Sequence, residues 1–207
     1  MLNKIISILK VPSKLILIIG SFVYALLFAV VSFANAGGGF FPTITAIIIA
    51  TTGSIALIVV PIFLLLKKEN VSKIAFTILA GYWIISSLLS NISNGYYIDT
   101  ADNTVEGLFV TASVFSFIFG IVLLAAIILF VLSIALKKDI LKVISFFICL
   151  GVVLFAMLVG IFWFIYYGNV QAEYGANFVR WDNYFDIVMR YYIAPILVLE
   201  GAVYFYL

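Results

Sequence analysis

From Leu15 onward the chain is a succession of long apolar runs divided by short polar stretches, and the runs are continuous rather than alternating. Ile121–Leu136 holds no polar side chain except Ser133. A strand of a membrane β-barrel would instead alternate over about ten residues. A helix needs roughly 20 apolar residues to cross about 30 Å of hydrocarbon and satisfies its own backbone there. The pattern therefore predicts six spans, at roughly 15–35, 43–66, 72–92, 107–136, 140–167 and 185–207. The fourth and fifth are longer than a crossing requires, which predicts tilt or extension beyond the bilayer.

The opening MLNKIISILK places Leu2, Ile5, Ile6 and Leu9 on one helical face and Asn3, Lys4, Ser7 and Lys10 elsewhere. It reads as a short amphipathic helix on the membrane surface, ended by Pro12. The fold class expected is an all-α integral membrane protein: about six transmembrane helices in a single polytopic domain over residues 1–207, preceded by that surface helix. The first apolar run ends in SFANAGGG, where Ala34-Asn35-Ala36 has the form of a signal-peptidase site. The apolar stretch Leu15–Phe33 exceeds the usual signal length of about 7 to 15 residues, so it is read as a retained span.

Lysines set the orientation. Lys4, Lys10 and Lys14 precede the first span, Lys67, Lys68 and Lys73 lie between the second and third, and Lys137, Lys138 and Lys142 between the fourth and fifth. All nine fall on one side, which the positive-inside rule makes cytoplasmic, with both termini there. The loops 36–42, 93–106 and 168–184 occupy the other side and carry Asp99, Asp102, Glu106, Glu173 and Asp182 against Arg180 alone. Tyr96, Tyr97, Trp163, Tyr166, Tyr167, Tyr174, Trp181 and Tyr184 stand where an interfacial aromatic belt would lie, and belt duty is the plain alternative to a ligand cage.

Composition agrees with this plan: 66% of residues are hydrophobic and 10% charged, with a mean hydropathy of +1.31. Soluble domains are nearer half apolar and a quarter charged. A net charge of +2 without blocks of like charge gives no nucleic-acid signature. The chain has no histidine and one cysteine, Cys149, which removes histidine-dependent catalysis, the common zinc sites and any intrachain disulfide. No nucleophile elbow, phosphate loop, HExxH or intramembrane aspartate pair is present, so the reading leans away from an enzyme and implies no cofactor.

Candidate chemistry concentrates in the last span. At 100° per residue, Asp186, Arg190, Ile193, Leu197, Glu200 and Tyr204 stay within about 40° of one direction, which places three charges on one face. Charges in hydrocarbon usually face a bundle interior or a partner. Asp186 and Arg190 can pair with each other at i,i+4 near the surface. Glu200, about 10 Å from the last residue along the axis, calls for a partner such as Lys73 or Lys142. Pro195 lies beside it and removes a backbone hydrogen bond.

Thr51, Thr52 and Ser54 form a second polar spot, with bonding to their own helix as the plain reading and a cavity shared with Glu200 as the sharper one. Small residues recur at helical spacing at Ser21, Ala25 and Ala29, at Ala46, Ala50 and Ser54, at Ala112, Ser116 and Gly120, and at Ala156 and Gly160. Such stripes let helices approach closely in lipid, inside the bundle or against a partner subunit. The oxygen ligands Asp99, Asp102, Asn103 and Glu106 suit a cation only weakly, because the spacing is not that of an EF-hand. Asn91-Ile92-Ser93 matches a glycosylation acceptor.

In its general plan of six spans, with both ends inside and the small-residue stripe Ser21, Ala25, Ala29, the chain resembles the membrane-embedded substrate-binding components of energy-coupling-factor vitamin transporters. It also resembles compact permease subunits of export transporters, whose first span follows an amphipathic helix. The resemblance implies a transport-associated subunit of the plasma membrane that binds a small solute or passes a cation. The alternative is a non-catalytic accessory, immunity or structural subunit packed against a partner membrane protein. The partners expected are the lipid bilayer, another membrane protein subunit and a small-molecule ligand, with no nucleic acid.

Overall fold

The computed structural model describes residues 2–34, 40–94, 104–136, 139–175 and 181–206. Side chains are described for all of these except 2–7, 9, 31–34, 40–52, 93–94, 104–105, 139 and 181–182. The described elements are all helical: α1 Leu2–Ala34, α2 Phe40–Leu65, α3 Glu69–Asn94, α4 Thr104–Leu136, α5 Asp139–Tyr174, α6 Trp181–Ile187, a π-helical segment Val188–Ile193, and α7 Ala194–Tyr206. Among the described residues, five stretches are long and apolar enough to cross a membrane: Lys10–Val30, Glu69–Ile92, Glu106–Leu136, Ile140–Tyr174 and Asn183–Tyr206. α2 is itself 26 residues long, and within it Gly53–Leu65 is apolar.

Two sequence expectations are corrected here. Pro12 does not end a separate surface helix, because α1 runs through it from Leu2 to Ala34. A proline removes one backbone bond and leaves the rest of a helix intact where the freed carbonyl can be satisfied otherwise. The loop expected from residue 168 begins later, since α5 continues to Tyr174. The Asn169 amide returns to the Ile165 carbonyl at 2.8 Å, and Tyr184 donates to Gln171 at 3.0 Å. The 36 residues of α5 span about 54 Å, more than the roughly 40–45 Å of a bilayer with its headgroups. Gly175 closes that helix in the left-handed region at φ 92°, its N–H bonded to the Gln171 carbonyl at 3.0 Å.

The chain divides into two compact units: Met1–Tyr82 with Ile196–Leu207, and Trp83–Pro195. In the first, α1 turns a stripe of Ser13, Leu17, Ser21 and Ala25 inward at steps of four. Leu17, Val60, Leu64 and Phe76 form the core. Two glycines set close approaches: a Cβ at Gly20 would meet Leu197, and one at Gly201 would meet the ring of Phe76. α2 ends in a Schellman turn, Lys68 N–H to Phe63 carbonyl at 2.8 Å and Lys67 N–H to Leu64 carbonyl at 3.2 Å, with Lys67 left-handed at φ 59°. The fully buried Ser72 hydroxyl then donates to the Val60 carbonyl at 2.8 Å and fastens the start of α3 to α2.

In the second unit α4 and α5 pack along Ala112, Phe119, Leu123 and Ala126 against Val152, Ala156, Val159 and Trp163. Ser145 donates from α5 to the Leu129 carbonyl of α4 at 3.4 Å. Ala112, Ser116, Gly120, Ala156 and Gly160, expected to be packing residues, are all buried. In the first unit Ser21 and Ala25 are buried and Ala29 is half-buried.

Candidate functional site

Pro195 has no N–H, and in an α-helix its ring would crowd the carbonyl four residues earlier, that of Tyr191. The chain there is a wider π turn over Val188–Ile193, in which the Ala194 N–H bonds the Met189 carbonyl five residues back. Ile187 and Ala194 keep right-handed helical angles on either side, so the helix is continuous through it. The widened turn breaks the uniform 100° count that put Asp186, Arg190 and Glu200 on one face. Met189 and Tyr191 are both buried in this segment, and Tyr191 joins the core of the second unit.

Tyr191 is the centre of a buried polar network. Its hydroxyl donates to Asn91 Oδ1 at 3.0 Å. The Asn91 amide donates in turn to the Ser87 carbonyl at 2.7 Å and to Ser87 Oγ at 3.1 Å. Trp163 Nε1 donates to Ser116 Oγ at 2.9 Å, and that pair adjoins the Tyr191 hydroxyl. Asn91 and Ser116 are fully buried, and Tyr191 is 3% exposed. Four elements thus each contribute a polar group: α3, α4, α5 and the π segment. Ser113, three residues before Ser116 on α4, is fully buried, and its hydroxyl has no partner. Trp83 Nε1 is the other buried polar atom left unpaired among the described residues.

Aromatic rings pack against Trp163 on one side of this network. Phe109 meets Trp163 edge-on at 5.9 Å and Tyr166 at 5.4 Å, and Trp163 lies 5.9 Å from Tyr167. Tyr184 stacks on Phe164 at 5.7 Å. Trp163, expected in an interfacial belt, is instead a core residue at 9% exposure, because Ser116 gives its N–H an internal partner. Gly160 allows α5 to reach the π segment: a Cβ there would stand 2.5 Å from the Tyr192 ring and 3.1 Å from Tyr191 Cβ.

The sequence candidates fall in several places. Arg190 pairs with Asp186 at 3.2 Å and donates to Ser90 Oγ at 2.7 Å, beside the network. Glu200 and Tyr204 belong to the first unit. Glu200 is half-buried and has no hydrogen-bond or ion-pair partner among the described residues, while the Lys73 ammonium lies 4.4 Å over the Tyr206 ring. Tyr204 donates to Glu69 at 2.6 Å, and Lys14 approaches the same carboxylate at 3.8 Å.

Ser54 bonds neither its own helix nor the last span, since its hydroxyl donates to the Ala25 carbonyl of α1 at 3.3 Å. Gly53, whose Cβ would meet Phe28, holds the same contact. The side chains of Thr51, Thr52, Ala46 and Ala50 lie outside the described residues, as do Asp99, Asp102, Asn103 and the Asn35-Ala36 step. Glu106 stands in the first turn of α4.

Sequence reasoning assigned Asn91 to a glycosylation acceptor and passed over Tyr191, Ser87 and Ser113. One signal was present for two of these: Ser87 and Asn91 are i,i+4 on an otherwise apolar run, the spacing of one buried helical face. Comparison of the chain with family models, with curated proteins and with solved structures returns no match. The class that the helices define is a multi-pass helical membrane protein. The network is made of neutral donors and acceptors, a chemistry that suits recognition of a hydrogen-bonding solute rather than nucleophilic catalysis.

Proposed function

We propose that the chain is a membrane-embedded subunit of transport machinery, crossing the plasma membrane six times with both termini cytoplasmic, and that it binds a small polar solute at the network around Tyr191. One observation carries this reading: a four-element polar network is buried in an apolar bundle beside a fully buried, unanswered Ser113 hydroxyl. Polar groups inside a membrane bundle are costly unless they serve packing or a pathway, and a buried hydroxyl without a partner beside such a network favours a ligand. The π turn supports it further, because such turns gather at functional sites. The six-span topology rests on the 26-residue length of α2 and on the one-sided lysines.

The test is native purification of the full chain, followed by mass spectrometry of co-purifying small molecules, for the wild type and for Asn91→Leu and Ser113→Val. A solute retained by the wild type and lost from both variants at unchanged folding supports the assignment. Retention by both variants refutes it.

A second reading, an accessory subunit packed on a partner membrane protein, is favoured by Gly151. This glycine is exposed on α5 with open space around it, as a helix contact in lipid would require. A stoichiometric protein partner in the same purification, released by Gly151→Leu, would establish it.

A further inference from the structure

The first unit carries a charged patch that the solute-binding reading does not use. Glu69 begins α3, and its carboxylate is engaged by the Tyr204 hydroxyl at 2.6 Å and by Lys14 at 3.8 Å. Lys67, Lys68 and Lys73 have no ion pair among the described residues. Lys67 and Lys68 are exposed and left uncompensated at the turn before an acid that is already taken, whereas Lys73 lies on the other side of α3. Their positions are fixed by the backbone: Lys67 is the left-handed residue of the Schellman turn, Lys68 closes that turn, and Ser72 anchors the next turn to Val60. Lys73 is held by its ring contact with Tyr206, whose hydroxyl shares a hydrogen bond of 2.5 Å with Thr77.

An apolar surface begins beside this patch. Val71, Ile74 and Ile78 are 41%, 62% and 67% exposed, and their three-four spacing makes one ridge along α3. Tyr82, 74% exposed, extends it, so the ridge covers about 16 Å along the axis. A free phosphate would engage the lysines and leave the ridge unused. An amphiphile with an anionic head engages both. Lysine, a compact point charge on a flexible stem, suits a phosphate at a membrane surface.

We propose that the lysine end of this unit is a binding site for an anionic phospholipid, with its phosphate at Lys67 and Lys68 and an acyl chain along Val71, Ile74 and Ile78. The site is independent of the Tyr191 network.

The experiment titrates the detergent-purified full chain with dioleoylphosphatidylglycerol or dioleoylphosphatidylcholine and reads bound lipid by native mass spectrometry. The wild type should prefer the glycerol lipid. At about a factor of five per lysine, Lys67→Gln/Lys68→Gln should lower that preference by about 25-fold. If the double variant does not fold, Lys68→Gln alone should lower it by about fivefold. Lys142→Gln, at a lysine of the second unit, should change it by less than about threefold, and Ile74→Asn should weaken binding of both lipids. Equal binding of the two lipids by the wild type, an unaltered preference in the lysine variants, or an equal loss in the control would overturn the proposal. So would competition by inorganic phosphate at concentrations matched to the lipid.

Discussion

Gly160 sets how near α5 lies to the π segment, and Gly160→Ala puts that approach to a quantitative test. The added Cβ would stand 2.5 and 3.0 Å from Tyr192 Cε2 and Cζ and 3.1 Å from Tyr191 Cβ. The Tyr192 atoms are the far end of a side chain and can swing away. Tyr191 Cβ belongs to the π turn itself, and moving it draws the hydroxyl off Asn91. Overpacking of this kind costs about 1–3 kcal/mol, and loss of one interhelical hydrogen bond in a membrane protein adds about 0.6 kcal/mol. The better helix propensity of alanine returns up to about 1 kcal/mol. A net loss of about 1–2 kcal/mol follows.

Gly151→Ala supplies the reference, because nothing lies within 4 Å of a Cβ there and only the propensity gain remains. The two variants should differ by about 2–3 kcal/mol, or on the order of 5–10 °C in Tm for a chain of this size. Thermal unfolding of both in one detergent, followed by tryptophan fluorescence, measures the gap. A second arm divides the cost: Tyr192→Ala combined with Gly160→Ala removes the ring clash and leaves the Tyr191 contribution. If Gly160→Ala melts with or above Gly151→Ala, the close approach does not exist, and the account of the π segment falls with it.

Other outcomes follow from the same geometry. Tyr191→Phe strands the Asn91 carbonyl oxygen and should cost about 0.6–1.7 kcal/mol in the same melt, with no change indicating that the hydrogen bond of 3.0 Å is not made. Lys67→Gly relieves a left-handed lysine at φ 59° and should stabilise by about 1 kcal/mol when measured without anionic lipid; a lower Tm would contradict the Schellman turn. Asn91, buried in a helix, should remain unglycosylated in a eukaryotic host, so a glycan at this residue in folded protein would show that it is exposed.

The helical membrane class was legible because it depends on run length, which an apolar sequence states directly, and because lipid leaves the backbone few alternatives. Ala112, Ser116 and Gly120 recur at the period that brings one face of a helix together, and all three are buried. What the sequence did not reveal was phase. The wheel for the last span assumed one rotation per residue from Asp186 to Tyr204, and a π turn ahead of Pro195 alters that rotation within six residues. Tyr191 was passed over because the wheel was read only for its charged face, although it is the residue that reaches Asn91. Partner identity was equally hidden, because a serine or asparagine in an apolar run has the same local pattern whether it bonds its own helix or another. Ser133 takes the first course, with the Phe130 carbonyl at 2.7 Å, and Ser54 the second, with α1. A proline in the last span should thus be read as a point where the helical count restarts, and polar residues on its two sides should be placed on separate wheels before a shared face is argued.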